Sequence, residues 1–316
     1  MAAPVLVVGE SLVDVVVREG VEGAERVERH VGGSPANVAI GLGRLGHDVT
    51  LATCLGRDAD GDLVRARLTH DGVRLVEGSA SAARTSTATA YLDANGSATY
   101  QFDLVWDLLP VDVSGAGHVH TGSIAAALMP GSAAVSVALH GARAQGATTS
   151  YDPNLRPAII GSADDERPAV EALVAASDVV KASEEDVAWL YSAHTVEEVG
   201  RRWLDLGPTL VVVTLGGEGA LAWHRSAPDA PIRVEPRHVQ VVDTVGAGDS
   251  FMSGLLSGLV DAGLLGSDRR EALRSGSADD VRPALQRAVA TSAITCSRAG
   301  SNPPTRAELT GPSPLG

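Results

Sequence analysis

The stretch Val241-Val-Asp-Thr-Val-Gly-Ala-Gly-Asp-Ser-Phe-Met-Ser-Gly-Leu-Leu-Ser-Gly-Leu-Val260 decides the fold. It opens as the end of a short apolar strand, closing at Val242. Gly246 and Gly248 then permit a tight turn, because glycine tolerates positive φ and lets another backbone come close. From Asp249 the pattern is helical, with Phe251, Leu255 and Leu259 on one face and the small Gly254 and Gly258 on a neighbouring one. A glycine turn that opens a helix aims several unpaired amides the same way, and the helix dipole adds to them, so the place seats an anion. Asp249 stands at the rim of that seat, where its carboxylate would repel a resting anion. The combination makes sense if the anion is a phosphoryl group in transfer and Asp249 handles the hydroxyl that receives it. Gly246, Ala247 and Gly248 would then offer amides to the charge on the moving group, and Asp249 would orient the acceptor and take its proton. A carboxylate at a helix start is a weak base, which is tolerable where positioning does most of the catalysis. Helix capping alone would also put an Asp there.

The rest of the chain narrows the class. Its 316 residues, 44% hydrophobic, suffice for one large core or two modest ones. A net charge of −14 speaks against a nucleic-acid or anionic-membrane surface. Cys54 and Cys296 have no metal spacing and fit a reducing cytoplasm. The N-terminus lacks a basic region followed by a long apolar run, and no apolar span reaches membrane length. Lys181 is the only lysine, and no glycine-rich loop precedes it, so a Walker-type phosphate loop is excluded. Protein-kinase signatures are absent too.

In chain order, Pro4–Gly9 reads as a buried parallel strand, and Glu10–Asp14 lies at its carboxyl end, where α/β sheets place ligands. An Asp in that place serves a turn or a ligand; the sequence leaves both open. The short apolar runs Val15–Val17 and Val27–Val31 suit a small accessory sheet. Gly32-Gly-Ser-Pro-Ala-Asn37 opens a helix, with Pro35 in its first turn and paired glycines for close approach. Asn37, on that turn, faces the same guest and suits a polyol. Gly41-Leu-Gly-Arg-Leu-Gly46 spells a dinucleotide fingerprint, but it falls inside a helical pattern and precedes the strand Val49–Cys54 instead of following one. Its glycines predict close helix packing and a helix end at Gly46.

Asp60–His70 predicts an amphipathic helix stopped by Gly72. Thr87–Leu92 and Ser97–Phe102 flank Asn95-Gly96, a strong hairpin signal, and predict a lid made with the early accessory strands. Such a lid would exclude water from a reacting phosphate. From Val119 a regular alternation follows, with strand Val119–Thr121, helix Gly131–Ala144 and strand Thr148–Asp152. The last runs into Pro153-Asn-Leu-Arg156, where Arg156 is a candidate cation for substrate or phosphate. Asp178–Asp186 reads as a strand feeding a helix capped by Ser183, its acids serving equally as caps or as an outer shell for Mg²⁺. Thr209–Thr214 is a buried strand. Leu215–Gly219 is a turn fit for a nucleotide or for nothing, and strand Ala220–His224 follows it. Ala284–Ser297 predicts a helix, and the proline-rich tail, 303–316, a loose end. No repeat or linker divides residues 1–316, so a single domain is expected, with lid strands at about 12–31 and 85–104.

Together these pieces resemble the ribokinase-like (PfkB-type) carbohydrate kinases, and within them the fructokinases, from Val5 to about Pro304. Gly32–Ala39 and Asp243–Phe251 carry the likeness most specifically, with Glu10–Asp14, Tyr151–Arg156 and Thr214–Gly219 in their expected places. The resemblance implies a three-layer α/β/α core with a mostly parallel central sheet and a small β lid. It implies ATP as donor, Mg²⁺ as metal and K⁺ as a possible activator. By position it makes Asp249 the base, with Gly246, Ala247 and Gly248 as the anion hole. Asp14, Gly32, Gly33, Asn37 and Arg156 fall on the sugar side. Lys181, Ser183, Thr214, Gly216 and Gly219 fall on the nucleotide side. Asp186 would meet Mg²⁺ through water, and Asp243 would border the monovalent cation. Many relatives carry Asn-x-x-Glu where this chain has Ser183-Glu-Glu-Asp186, a departure that touches the metal. Fructose is the expected acceptor, with 2-keto-3-deoxygluconate or a nucleoside as alternatives, and a silent sugar-binding regulator as the non-enzymatic one. No nucleic acid or membrane is expected as a partner, whereas a homodimer through the lid is.

Overall fold

The computed structural model describes residues 3–19, 25–92 and 98–310. The strands are β1 (Val5–Val8), β2 (Leu12–Glu19), β3 (Glu25–Gly32), β4 (Val49–Ala52), β5 (Val73–Leu75), β6 (Thr87–Leu92) and β7 (Ala98–Asp103). They continue with β8 (His118–Gly122), β9 (Thr148–Asp152), β10 (Val179–Ser183), β11 (Leu210–Thr214), β12 (Ala220–His224) and β13 (Ile232–Val234). The helices are α1 (Ser34–Arg44), α2 (Ala59–His70), α3 (Gly131–Ala144), α4 (Ala163–Ala175) and α5 (Glu184–Leu190). After these come α6 (Val196–Leu206), α7 (Ala247–Asp261), α8 (Arg270–Ser275), α9 (Ala278–Cys296) and α10 (Arg306–Thr310).

Nine strands form one sheet in the order β13-β12-β11-β10-β9-β8-β1-β4-β5. Every neighbouring pair from β11 to β5 is parallel, and β12 and β13 close one edge antiparallel. Alternation along each strand sends side chains to opposite faces. Val5 and Val7 join a core with α1, α2, α7 and α9, while Leu6 and Val8 join one with α3, α4, α5 and α6. Leu210 and Val212 against Val211 and Val213 divide the same way. This is the expected three-layer arrangement.

A second sheet, β3-β2-β6-β7, is built from the early accessory strands and the hairpin strands. Val13 and Val15 anchor it in the main core, and Asp14 faces the other way. The Asn95-Gly96 turn lies outside the described residues.

Beyond shifts of a residue or two at strand ends, the structure corrects four expectations. Val241 and Val242 form no strand; they are exposed, and the amides of Val242 and Asp243 turn to the carbonyl of Cys296 at 2.8 and 3.2 Å. Helix α7 starts at Ala247, which makes Asp249 its third residue and not its cap. Helix α9 starts six residues before Ala284, because Ser277 and Asp280 form a capping box ahead of Pro283. The tail is not loose through residue 310. Pro303 and Pro304 are buried, and Arg306 of α10 bonds Asp261 at 2.7 Å.

Candidate active site

The chain leaves β1 for β4 on one side and later returns to β8 on the other, so a crevice opens at the carboxyl ends of β1 and β8. Glu10 follows β1, Ser123 follows β8 and Asn154 follows β9, while Ser183 and Thr214 end β10 and β11. The starts of α1 and α7 close over these strand ends.

Asp249 is buried in the first turn of α7 and still accepts three side-chain donors. Ser34 Oγ and Asn154 Nδ2 reach its Oδ1 at 2.7 and 3.3 Å, and Asn37 Nδ2 reaches its Oδ2 at 2.8 Å. Gly246, with φ of 75°, caps the helix, and a Cβ there would stand 2.2 Å from Ser301 Oγ. One expected donor is already taken: the amide of Ala247 turns back to the carbonyl of Thr244 at 3.1 Å. The first bond along α7 runs from Ser250 to Gly246 at 2.8 Å, so the amides of Gly248 and Asp249 precede the ladder and are left without a partner in it.

Of the residues expected to serve the sugar, Gly33 (φ 97°) caps α1, where a Cβ would come 2.7 Å from the carbonyl of Glu10. At Gly32 a Cβ would lie 2.1 Å from Asp14 Oδ2, so glycine clears room for that carboxylate. Burial raises the Asp14 pKa to about 6, opposed by His30 and Arg156 and reinforced by Asp249. Arg156 is exposed and folds onto its own loop, donating to Asn154 Oδ1 at 2.6 Å and to the carbonyl of Leu155 at 2.9 Å. That contact presents the other end of the Asn154 amide to Asp249.

Of the residues expected to serve the nucleotide, Lys181 is buried and meets Asp152 Oδ2 at 2.9 Å. Burial opposes its charge, but Asp152, Asp186 and Asp249 outweigh it, and the ammonium is held charged. Burial pushes Asp152 up to about 6 against the pull of Lys181. Lys181 thus stands beneath the helix start, not on the ledge of Gly216 and Gly219. That ledge is shaped by left-handed glycines, with φ of 51° and 89°. Thr214 Oγ1 lies 3.4 Å from the carbonyl of Ala182.

Ser183 and Asp186 form the capping box of α5. Asp186 Oδ2 accepts from Ser183 at 2.9 Å, and its Oδ1 accepts the Leu155 amide at 2.8 Å, which ties down the Asn154 loop. The capping reading therefore describes this carboxylate in the structure, and water is the route left to a metal. Among the described residues no group of three metal-ligating side chains gathers. Asp243 accepts the amides of Val245 and Gly300 at 3.0 and 2.9 Å, and these bonds hold its pKa below the usual range.

Sequence reasoning passed over Ser34, Asn154, Glu10 and Asp152. Glu10 is buried, accepts the amides of Ser34 and Ala125 at 3.3 and 3.1 Å, and is raised by burial to about 7. Ser34 and Asn154 sit inside the motifs quoted for the family, but nothing local distinguishes them from neighbouring polar residues.

The pattern of the pfkB family carbohydrate kinases matches residues 2–308. The chain belongs to this family. A fructokinase from Klebsiella pneumoniae is 34% identical over 275 residues, 84% of this chain and 87% of that protein. The fold of a Xylella fastidiosa fructokinase with bound ATP superposes with a TM-score of 0.81 at 24% identity, over 95% of this chain and 94% of that one. A double mutant of the Vibrio cholerae O395 fructokinase, with fructose, ADP and potassium ion bound, gives 0.74 at 25% identity over 95% of both chains. As a carbohydrate kinase the protein is a phosphotransferase acting on a sugar hydroxyl, and the crevice around Asp249 has the chemistry for it.

Proposed function

We propose that the protein transfers the γ-phosphoryl group of ATP to fructose, giving fructose 6-phosphate. The observation that carries this reading is the Asp249 carboxylate, set in the first turn of α7 among Ser34, Asn37 and Asn154. A sugar between Asp14 on the lid and Asn37 on α1 would bring its primary hydroxyl to Asp249. There the carboxylate holds the hydroxyl in line and takes its proton as the phosphoryl arrives. The amides of Gly248 and Asp249 face the charge that spreads over the transferring group. The ledge from Thr214 to Gly219 supports the nucleotide, and exposed Val241, Val242 and Val245, on the segment leading to Gly246, offer its base an apolar face.

Mg²⁺ fits as a hydrated ion carried by the phosphates, since Asp186 keeps lone pairs for water but gathers no cage. Bound there, the ion would offset phosphate charge. Asp243 braces the loop at Gly300, beside the turn where a monovalent cation would adjust the cradle; that the Vibrio protein binds potassium supports use of such an ion.

Fructose is favoured over 2-keto-3-deoxygluconate because both arginines near the sugar are engaged. Arg84 is paired with Asp103 at 2.8 Å, and Arg156 is folded onto Asn154 and Leu155. A carboxylate substrate would have to break one of these contacts. The stacked, exposed Tyr100 and Phe102, 6.2 Å between centroids, give the lid an apolar face suited to a second copy of the chain. Light scattering at the mass of one chain would remove that dimer. Two free cysteines and an ATP donor fit the cytoplasm, and among the described residues no helix is long and apolar enough to cross a membrane.

The deciding experiment is ATP consumption with fructose, ribose, 2-keto-3-deoxygluconate and adenosine in parallel. Fructose should exceed the others in kcat/KM by about tenfold or more, the worth of one or two well-placed contacts. Preference for 2-keto-3-deoxygluconate would defeat the arginine argument, and turnover of none would defeat the kinase reading of the crevice.

A further inference from the structure

Beneath the start of α7 lies an ion pair: the family resemblance puts its lysine on the nucleotide side without a stated task, and gives its carboxylate none. Lys181 and Asp152, on the adjacent strands β10 and β9, are buried and meet at 2.9 Å. A pair retained only for packing would ordinarily have its lone pairs satisfied. Here Asp152 Oδ1 has no hydrogen-bond partner among the described residues. The other end of the pair is aimed at the crevice. Lys181 Nζ lies 3.0 Å from where a Cβ of residue 248 would stand, so glycine at 248 is what admits the ammonium to the first turn of α7. The groups facing Lys181 are Asp152 on β9, Asp186 on α5, Asp249 on α7 and the neutral imidazole of His120 on β8.

We propose that Lys181 completes the phosphate seat from below and that Asp152 is the positioning residue that keeps it there and charged. The proposal rests on the kinase reading of the crevice. Amide dipoles alone meet the charge of a phosphoryl group in flight only in part, and a full positive charge under them raises the stabilisation where water is excluded. A fully buried amine without a counter-ion tends to give up its proton. A carboxylate at 2.9 Å prevents that while occupying one of three N–H groups, which leaves the others for the seat. Lys181 is a basic side chain that the structure brings under this turn, whereas Arg156, the other candidate cation, is committed to its own loop.

Because Lys181 is the only lysine, labelling with ε-¹³C lysine gives a protein with one such resonance. In the parent it should move when ADP or tripolyphosphate is added, and remain that of an ammonium past the pH at which an ordinary lysine gives up its proton. In Asp152→Asn it should titrate about one pH unit lower or more, and the alkaline limb of kcat should move with it. In the same variant kcat should fall about tenfold or more with the sugar KM nearly unchanged, and Asp152→Glu should restore the limb. A purely structural pair would lower thermal stability and leave the limb where it was. A parent resonance indifferent to ADP and tripolyphosphate overturns the proposal, as does an Asp152→Asn profile that superimposes on the parent's. If Asp152→Asn does not fold, Lys181→Met decides: a kcat loss of about a hundredfold supports the proposal, and a kcat within about threefold of the parent overturns it. A resonance that answers ADP in a protein that phosphorylates no sugar would sink the acceptor assignment alone. Sugar turnover with a silent resonance would sink this inference alone.

Discussion

Asp249 has both carboxylate oxygens engaged before any sugar arrives, by Ser34 and Asn154 on one and Asn37 on the other. In the proposed reaction an incoming hydroxyl would therefore meet a base already aimed, which is the condition for proton transfer without reorganisation. Asp249→Asn keeps the shape and removes the proton acceptor. Its kcat should fall by about 10²–10⁴, the usual range for a general base, with sugar and ATP binding retained within a few-fold. Steady-state kinetics together with calorimetric binding would check this, and parent-like turnover would strip Asp249 of its role. Asp249 could be read from the chain because the Gly246-Ala-Gly248 turn marks a helix start from either side. Ser34 could not, because its partner lies 215 residues away, and Asn154 works across 95. Spacing along a sequence says nothing about which hydroxyl or amide will face a carboxylate from another element.

At the level of elements, the site is held by two helix contacts made close by missing side chains. A Cβ at Gly41 of α1 would come 2.6 Å from Ser253 Cβ of α7, and one at Gly258 would come 2.5 Å from the Cα of Ala284 on α9. Because the second contact is with backbone, no rotamer change relieves it. Gly258→Val should destabilise by about 1–3 kcal/mol or more, the cost of overpacking a closed interface, and lower the melting temperature by several degrees. Calorimetry would test this; an unchanged melting temperature would mean that α7 and α9 can slide apart freely. The small-residue face of α7 and the tight packing of Gly41–Gly46 were legible, since period and residue size are local properties. The false strand at Val241–Val242 and the loose tail came from the same kind of local reading. An apolar pair looks like a strand end whether or not a partner strand exists. Prolines look like a frayed end whether or not Arg306 reaches back to Asp261.

For the whole molecule, two opposed sets of buried groups set how stability depends on pH. Burial raises Glu10 from 4.5 to about 7, and Asp14 and Asp152 from 3.8 to about 6. Each of these contributes stability that is full below its ordinary value and lost as pH rises through the folded one. Burial lowers His47 from 6.5 to about 4 and His118 and His120 to about 3, the last helped by His118 and Lys181. Their contribution runs the other way, full above 6.5 and lost as pH falls toward those values. Between about pH 5 and 8 the two sets offset each other, so the melting temperature should be nearly level there. Below about pH 3.8 the raised carboxyls have nothing more to give, while His118 and His120 go on losing. Glu308, lowered to about 2 first by its bond to the Thr305 amide, then adds its own loss, and Asp243 and Asp261, both held low, do the same. A steep acid limb should follow. Glu10→Gln isolates one side of the balance. Without a carboxyl that becomes costly as it ionises, the variant should gain on the parent steadily from about pH 5 to 8, whatever its starting deficit from an altered contact with Ser34. Scanning calorimetry of both proteins across that range measures the difference directly. A gap that stays constant with pH would mean that Glu10 does not titrate there, and that its carboxylate is better accommodated by the amides of Ser34 and Ala125 than its burial suggests.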